Sequence, residues 1–172
     1  MNAIPSVQDS AVNPDDFRHA IGHFPTGVAV ITTTVNGEAH GATVSALSSL
    51  SLEPPMLIVC LKDTSRTLTA VKQSGRFLVN LLAEDQADIA AHFATRDGAK
   101  LAPTEPGKLP GIPGVLGAIA CEVDSMVRGG SHIILMATVT AVEMASAGRP
   151  LTYYRGRFGG FLPALTLVKP SD

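Results

Sequence analysis

Hydrophobic positions along this chain fall into short runs separated by turn-forming residues, a pattern typical of β-strands. Residues 28–35 are rich in Val, Ile and Thr, and the Asn36-Gly37 pair that follows is the strongest short signal for a two-residue hairpin turn. The chain is therefore predicted to turn back at once into a second strand over residues 39–45.

Further strands are predicted over residues 56–61, 76–82, 118–127, 133–144 and 151–161. A first short helix is expected after the N-cap Asn13, ending at Pro25; a second runs from a cap at Thr64 or Ser65 to Gly75, and a third spans 84–93. Strands joined by hairpins with only two or three short helices predict a mainly β fold. The expected architecture is an antiparallel, Greek-key-like barrel or sandwich, not a parallel α/β sheet.

Two segments suggest contacts beyond this basic plan. Residues 133–144 are apolar on both faces of the predicted strand, which places them in the core or under a second subunit. Residues 94–114 are rich in Gly and Pro, and long connections of this kind are usually lids or cross-subunit contacts. We expect one domain over residues 13–161, with tails over 1–12 and 162–172.

The composition narrows the classes of partner. Charged residues make up 16% of the 172 residues, below the roughly 25% usual for soluble domains, which suggests that another copy of the chain covers some apolar surface. The net charge is -2 with no basic block, which argues against nucleic acid or an anionic membrane as a partner. No stretch resembles a membrane span or a signal peptide, so a cytoplasmic location is expected.

The metal-binding residue types do not form a recognisable site. Cys60 and Cys121 both lie in apolar strand-like runs and are expected to be buried thiols. His19 and His23 are four residues apart on a predicted helix, but no acidic third ligand is in step with them, which favours a surface or cap-packing role. No metal is therefore predicted.

A hydroxyl-rich segment is the main candidate for a binding site. Residues 41–52 contain no charged side chain but several hydroxyls, and an apolar strand follows Pro54-Pro55. Such a segment can surround a polar or anionic small molecule with hydroxyl and backbone N–H donors, although an edge strand that binds nothing has the same composition. The hairpin at Asn36-Gly37 brings Thr26-Gly27 to the same end as Ser45.

A second candidate element lies next to this segment. Lys62 and Arg66 flank the start of the second predicted helix, whose free N–H groups favour an anion, so a phosphate site is one interpretation. An ordinary capped helix with solvated charges is the other. The chain has no nucleotide-binding glycine motif, Walker loop, zinc-binding His-Glu pair, Cys-x-x-Cys or nucleophile elbow. What remains suits a phosphate-bearing, partly aromatic ligand.

Seven motifs in order give the chain a resemblance to the short-chain flavin reductase family, the reductase partners of two-component flavin monooxygenases. They are 24–33 (FPTGVAVITT), 41–45 (GATVS) leading through 51–55 (SLEPP), Cys60 with 65–67 (SRT), 74–82 (SGRFLVNLL), 117–121 (GAIAC), 130–132 (GSH) and 154–156 (YRG). Many family members have an aspartate before the histidine, where this chain has Ser131.

The resemblance implies an FMN-binding split β-barrel, a homodimer with flavin sites near the subunit interface, and hydride transfer from NADH or NADPH to FMN or FAD. Reduced flavin would then pass to a monooxygenase. The implied cofactor-binding residues are Pro25, Thr26, Gly27, Thr43, Val44, Ser45 and Ala46 by the isoalloxazine, Ser51 by the ribityl chain, Lys62, Ser65 and Thr67 by the phosphate, and Cys60, Phe77 and Asn80 elsewhere in the flavin pocket.

His132 is the implied catalytic residue, and it would bind the nicotinamide nucleotide together with Tyr154, Arg155 and Gly156. A buried structural histidine is the competing interpretation of His132. Two alternatives to a reductase remain at this point: a non-catalytic flavin carrier or sensor on the same barrel, and a purely structural β-barrel that binds no flavin. The choices between FMN and FAD, and between NADH and NADPH, are open.

Overall fold

The computed structural model describes residues 11–95 and 108–163. It contains three helices and ten strands within those ranges. In chain order they are α1 (Pro14–Ile21), β1 (Thr26–Gly27), β2 (Ala29–Val35), β3 (Glu38–Val44), β4 (Leu47–Leu52), β5 (Pro55–Lys62), α2 (Arg66–Ser74), β6 (Arg76–Leu81), α3 (Ala87–Phe93), β7 (Gly117–Gly129), β8 (His132–Met144), β9 (Leu151–Tyr154) and β10 (Arg157–Gly160).

All strand pairs are antiparallel. Seven strands form one sheet in the order β3-β2-β6-β7-β8-β5-β4, and β1, β9 and β10 form a second, three-stranded sheet. The predicted turn at Asn36-Gly37 is confirmed: both residues have positive φ, 51° and 79°, as a type I′ turn requires. The fold is therefore mainly β and antiparallel, as the sequence predicted.

Apolar residues on both faces of β2 join two parts of the core. Ile31 packs with Phe77, Val59 and Leu135 in the larger cluster, which α2 covers through residues such as Leu68. Val30, on the opposite face of the same strand, belongs to a smaller cluster beneath α3. The strand β3 lies at the sheet edge and contacts α2, α3 and β5. The curled sheet thus brings its first edge close to β5.

The structure contains elements beyond those predicted. The hydroxyl-rich segment has its own strand, β4, which pairs with β5 through a register shift between Ser49 and Ser51. The predicted last strand over 151–161 is two strands, joined at Arg155-Gly156 with φ of 48° and 80°. This second hairpin was not predicted because Arg-Gly is not among the dipeptides that signal a type I′ turn strongly.

Two predicted apolar surfaces are less buried than their patterns indicate. The first half of β8 lies in the core, but Val142 and Met144 are 58% and 59% exposed at its end. Helix α1 buries none of its residues, and Phe17 and Phe24 are 62% and 67% exposed. Both surfaces are apolar without a partner among the described residues.

Three sequence predictions, the tails at 1–12 and 162–172 and the loop at 94–114, lie partly outside the described residues, since residues 1–10, 96–107 and 164–172 are not described. The described end of that loop is well packed, since the buried Ile112 donates its N–H to Asn80 Oδ1 at 3.0 Å. None of the three helices in the described ranges has the length and apolar character that a bilayer crossing needs.

Candidate cofactor-binding site

A cavity of about 930 Å³ lies where the edge strand β3 faces the end of β5. The N-terminus of α2 and the residues following α3 close its sides. Its volume is within the range of roughly 300–1,000 Å³ found for small-molecule sites. Nine of the residues predicted to bind cofactor or nucleotide line it, namely Thr43, Val44, Ser45, Ala46, Cys60, Lys62, Ser65, Thr67 and His132.

One wall of the cavity is formed where the chain leaves β3 and crosses towards β5. The side chain of Val44 is buried in the core, so its backbone is the part left for a ligand. Ala46 is exposed, and its carbonyl accepts the N–H of Cys60 at 2.9 Å. Ser45 is exposed, and its hydroxyl makes no hydrogen bond within the described part of the chain. Ser45 therefore offers a hydroxyl to a ligand.

Thr43 differs from Ser45 because its hydroxyl already has a partner. Thr43 Oγ1 donates to the carbonyl of Ala90 in α3 at 2.7 Å. The bond uses the hydroxyl proton, so only the oxygen lone pairs remain for a ligand. Thr43 thus connects the cavity wall to α3, and its role is partly structural.

The opposite wall carries the predicted phosphate-binding groups. Ser65 is the N-cap of α2: its Oγ accepts the N–H of Leu68 at 3.4 Å, which leaves the hydroxyl proton free to donate. Thr67 lies buried in the first turn, and Lys62 ends β5 beside it. The ammonium of Lys62 makes no ion pair with any described residue. A helix N-terminus, hydroxyl donors and cations thus converge on one corner, as an anion requires.

His132 lies at the mouth of the cavity as the first residue of β8, directly opposite Lys62 in the β5–β8 register. Its side chain is exposed, which excludes the buried structural histidine considered from the sequence. Ser131 Oγ lies 3.1 Å from His132 Nδ1, so one ring nitrogen has a neighbour and Nε2 remains available. Glu38, at the far end, is the carboxylate among the described lining residues.

Seven other predicted residues lie outside this cavity, namely Pro25, Thr26, Gly27, Ser51, Tyr154, Arg155 and Gly156. Most of them meet in the second sheet, because β1 pairs with β9 and places Thr26 opposite Tyr153. Thr26 Oγ1 is buried without a hydrogen-bond partner among the described residues. Ser51 lies on β4, where its Oγ accepts the N–H of Glu53 at 3.1 Å.

Phe77 and Asn80 were expected to line the flavin pocket, and neither lines the cavity described above. Phe77 is fully buried in the larger core cluster. Asn80 is also fully buried, and its amide nitrogen donates to the carbonyl of Val30 and to Thr32 Oγ1, both at 3.0 Å. With its Oδ1 bonded to Ile112, the side chain fixes the 110–112 loop. Both residues of this motif are therefore in the protein interior, on opposite faces of β6.

Sequence reasoning included Gly41 in the binding segment but missed the part of the cavity formed by His40 and Phe93. A Cβ at Gly41 would lie 2.6 Å from Phe93 Cε1, so the ring packs against the strand only because the residue is glycine. A glycine inside a strand pattern often marks a close approach of another group, and this signal was present in the sequence.

The remaining candidates for chemistry behave as ordinary structural groups. Burial raises the pKa of the Cys121 thiol to about 12, which keeps it protonated. His23 Nδ1 lies 2.8 Å from the carbonyl of His19, and the two rings meet edge to face at 4.9 Å. No group of three metal-ligating side chains occurs in residues 11–95 or 108–163.

Comparison with known proteins gives consistent results. A family profile described as a flavin reductase like domain matches residues 21–161. The reductase component of a 4-nitrophenol 4-monooxygenase/4-nitrocatechol 2-monooxygenase from Rhodococcus opacus is 40% identical over 151 residues, covering 86% of this chain and 81% of that protein. The NADH-dependent flavin reductase StyB from Pseudomonas fluorescens is 37% identical over 161 residues, covering 89% and 94%. The structure of the styrene monooxygenase flavin reductase from Pseudomonas putida S12 matches with a TM-score of 0.79 and 35% identity, covering 87% and 99%.

Proposed function

The chain belongs to the family of flavin reductase like domains, and on this basis we propose that it is an NAD(P)H:flavin oxidoreductase acting on FMN or FAD. Its relatives include a reductase component of a monooxygenase and an NADH-dependent flavin reductase. The reduced flavin is supplied to a separate flavin-dependent monooxygenase, and NADH is the favoured hydride donor. A cytoplasmic location fits this activity because NADH is produced there.

The observation that carries the proposal is one cavity whose lining combines the N-terminus of α2 with Lys62, the hydroxyl-bearing β3 wall and His132. Its residues fit a flavin: hydroxyl and backbone N–H donors suit the polar edge of the ring system, and the α2 N-terminus with Lys62 suits the phosphate. A bound flavin supplies the electron-accepting ring. The chain therefore needs no strong nucleophile, and the described cavity lining contains no activated one.

Each wall of the cavity then has a defined task. The Ser45 hydroxyl and the backbone from Thr43 to Ala46 hold the ring edge, and Ser65, Thr67 and Lys62 hold the phosphate. His132 binds the nicotinamide nucleotide at the cavity mouth and orients it towards the flavin. Orientation of two bound rings is a contribution that a protein can make without covalent chemistry.

Hydride transfer is tested by mixing the purified protein anaerobically with FMN or FAD and with NADH or NADPH in turn. We expect the flavin absorbance at about 450 nm to decrease when NADH or NADPH is added. Protein that binds flavin but leaves NADH unoxidised would support the carrier or sensor alternative instead. Protein that binds no flavin would contradict both.

We also propose that the chain is a homodimer, supported by the apolar α1 face that no described residue covers. Phe17 and Ile21 on α1 are 62% and 52% exposed, and Phe24, three residues after the helix, is 67% exposed. So much exposed apolar surface is unusual for a lone subunit. The helix adjoins the β9–β10 hairpin, since the N–H of Arg155 donates to the carbonyl of Gly22 at 3.0 Å. A second subunit here would lie close to Tyr154, Arg155 and Gly156.

The double variant Phe17→Asp/Ile21→Asp is therefore expected to be monomeric while the parent chain is dimeric. Light scattering coupled to size-exclusion chromatography measures the mass directly. Because α1 buries no residue in the subunit, the substitutions themselves should lower the melting temperature by only a few degrees. Any larger loss would come from losing the stabilisation that dimerisation provides. A parent protein with the mass of one chain would rule out this dimer.

A further inference from the structure

The turn between β7 and β8 contacts the loop that follows β5. This turn is formed by Gly130, with φ of 60°, and Ser131, and His132 follows it immediately. The loop contains Asp63 and leads into the Ser65 cap of α2. The contact therefore joins the residue at the cavity mouth to the corner that carries the phosphate-binding groups.

Three bonds make this contact. The N–H of Asp63 donates to the carbonyl of Ser131 at 3.0 Å. Arg128 Nη1 donates to Asp63 Oδ2 at 3.1 Å and to the carbonyl of Gly130 at 3.3 Å. One guanidinium thus ties the end of β7, its own turn and the β5–α2 loop together.

The Asp63 carboxylate is paired across the fold with a distant residue. Lys62 is adjacent to Asp63 in the chain, yet the Asp63 carboxylate pairs with Arg128, which is 65 residues away. The side chain of Asp63 is 27% exposed, so it is partly withdrawn from solvent. A partly buried pair that also carries a backbone hydrogen bond holds its geometry better than a fully exposed ion pair.

We propose that Arg128 and Asp63 are positioning residues that hold His132 at the cavity mouth in the geometry needed to bind the nicotinamide nucleotide. The inference rests on the proposed reductase function. Without the pair, the turn keeps only backbone bonds, namely the Asp63–Ser131 bond and the strand pairing of His132 with Lys62 and Gly129. The His132 ring then samples orientations that do not face the nucleotide. Neither Arg128 nor Asp63 lines the cavity, so the pair acts through His132.

The test compares Arg128→Gln, Asp63→Asn and the double variant in the full-length protein. Each single change is expected to raise the apparent KM for NADH about fivefold and to leave the dissociation constant for flavin within about twofold. The double variant is expected to be no worse than either single variant, because both remove the same contact. Hydrogen exchange at the Asp63 amide, measured without flavin, is expected to speed up about fivefold.

A matched control is Arg149→Gln. Arg149 pairs with Glu84 at 2.7 Å, is also 65 residues from its partner and has similar exposure, but it lies away from the cavity. It should leave the KM for NADH unchanged. An equal rise in this control, multiplicative effects in the double variant, or an unchanged KM in Arg128→Gln would overturn the proposal.

Direct binding of the nucleotide by Arg128 gives a different result from a positioning role. In that case Asp63→Asn would leave the KM for NADH unchanged or lower it, and the positioning role would be wrong. If the parent protein reduced no flavin, the proposed function would fail. The amide exchange would still show whether the pair orders the turn, since that measurement requires no turnover.

Discussion

Replacing His132 with alanine is expected to raise the apparent KM for NADH about tenfold or more while changing that for flavin by less than about twofold. His132 is exposed at the cavity mouth, opposite Lys62, at the start of β8. The groups assigned to the flavin lie on other elements, on β3 and the residues that follow it, at the end of β5 and at the start of α2. The two binding steps therefore depend on different residues, and steady-state kinetics with each substrate varied in turn separates them.

The matched control for this change is His92→Ala. His92 is also exposed, but its ring contacts Phe93 and does not line the cavity. This control should keep both Michaelis constants. A rise confined to the flavin constant in His132→Ala would show that the histidine belongs to the flavin site and that the nucleotide assignment is wrong.

Replacing Ser45 with valine is expected to weaken flavin binding about tenfold and leave the fold intact, because the Ser45 hydroxyl bonds to no described residue. Adding Thr43→Val should weaken binding by no more than about twofold further, because the Thr43 hydroxyl proton is already used in the bond to the Ala90 carbonyl. Titration of flavin fluorescence measures both effects. Only the Thr43 change should also lower the melting temperature, by about 2–4 °C, since it removes the bond to the Ala90 carbonyl.

Ser48→Val serves as the control for these changes. Ser48 is a hydroxyl of the same segment, but it lies on β4 outside the cavity and bonds to the carbonyl of Ser49 at 3.1 Å. Flavin affinity should not respond to it. Unchanged affinity in Ser45→Val, or an equal loss in Ser48→Val, would count against the placement of the flavin edge on the β3 wall.

Local chemistry accounts for the elements that were predicted well. Asn36-Gly37 specifies a type I′ turn because both positions need positive φ. Asn13 and Ser65 cap their helices with side-chain oxygens, and Gly75 ends α2 with φ of 70°. These signals act within a few residues. They can therefore be recognised from the sequence alone, and they determine where strands and helices begin and end.

The grouping of Lys62, Ser65 and Thr67 was also predictable, because these residues are close together in the chain. Lys62, Ser65 and Thr67 lie within one turn and one helix start, so their proximity follows from local geometry. The hairpin register likewise brought Ser45 to the end occupied by Thr26 and Gly27, since Ala29 lies opposite Val44. Short-range pairing was sufficient for these predictions.

By itself, then, the sequence determined the mainly β architecture, the Asn36-Gly37 turn, the caps of α1 and α2, and the proximity of Lys62, Ser65 and Thr67. Only the tertiary structure decided that Phe77 and Asn80 face the interior, that Phe93 packs on Gly41, and that Arg128 meets Asp63. Those relations join residues far apart in the chain. They depend on how the sheet curls and on which side of a strand a helix packs, and both are set by the summed burial of many side chains, so no local pattern encodes them.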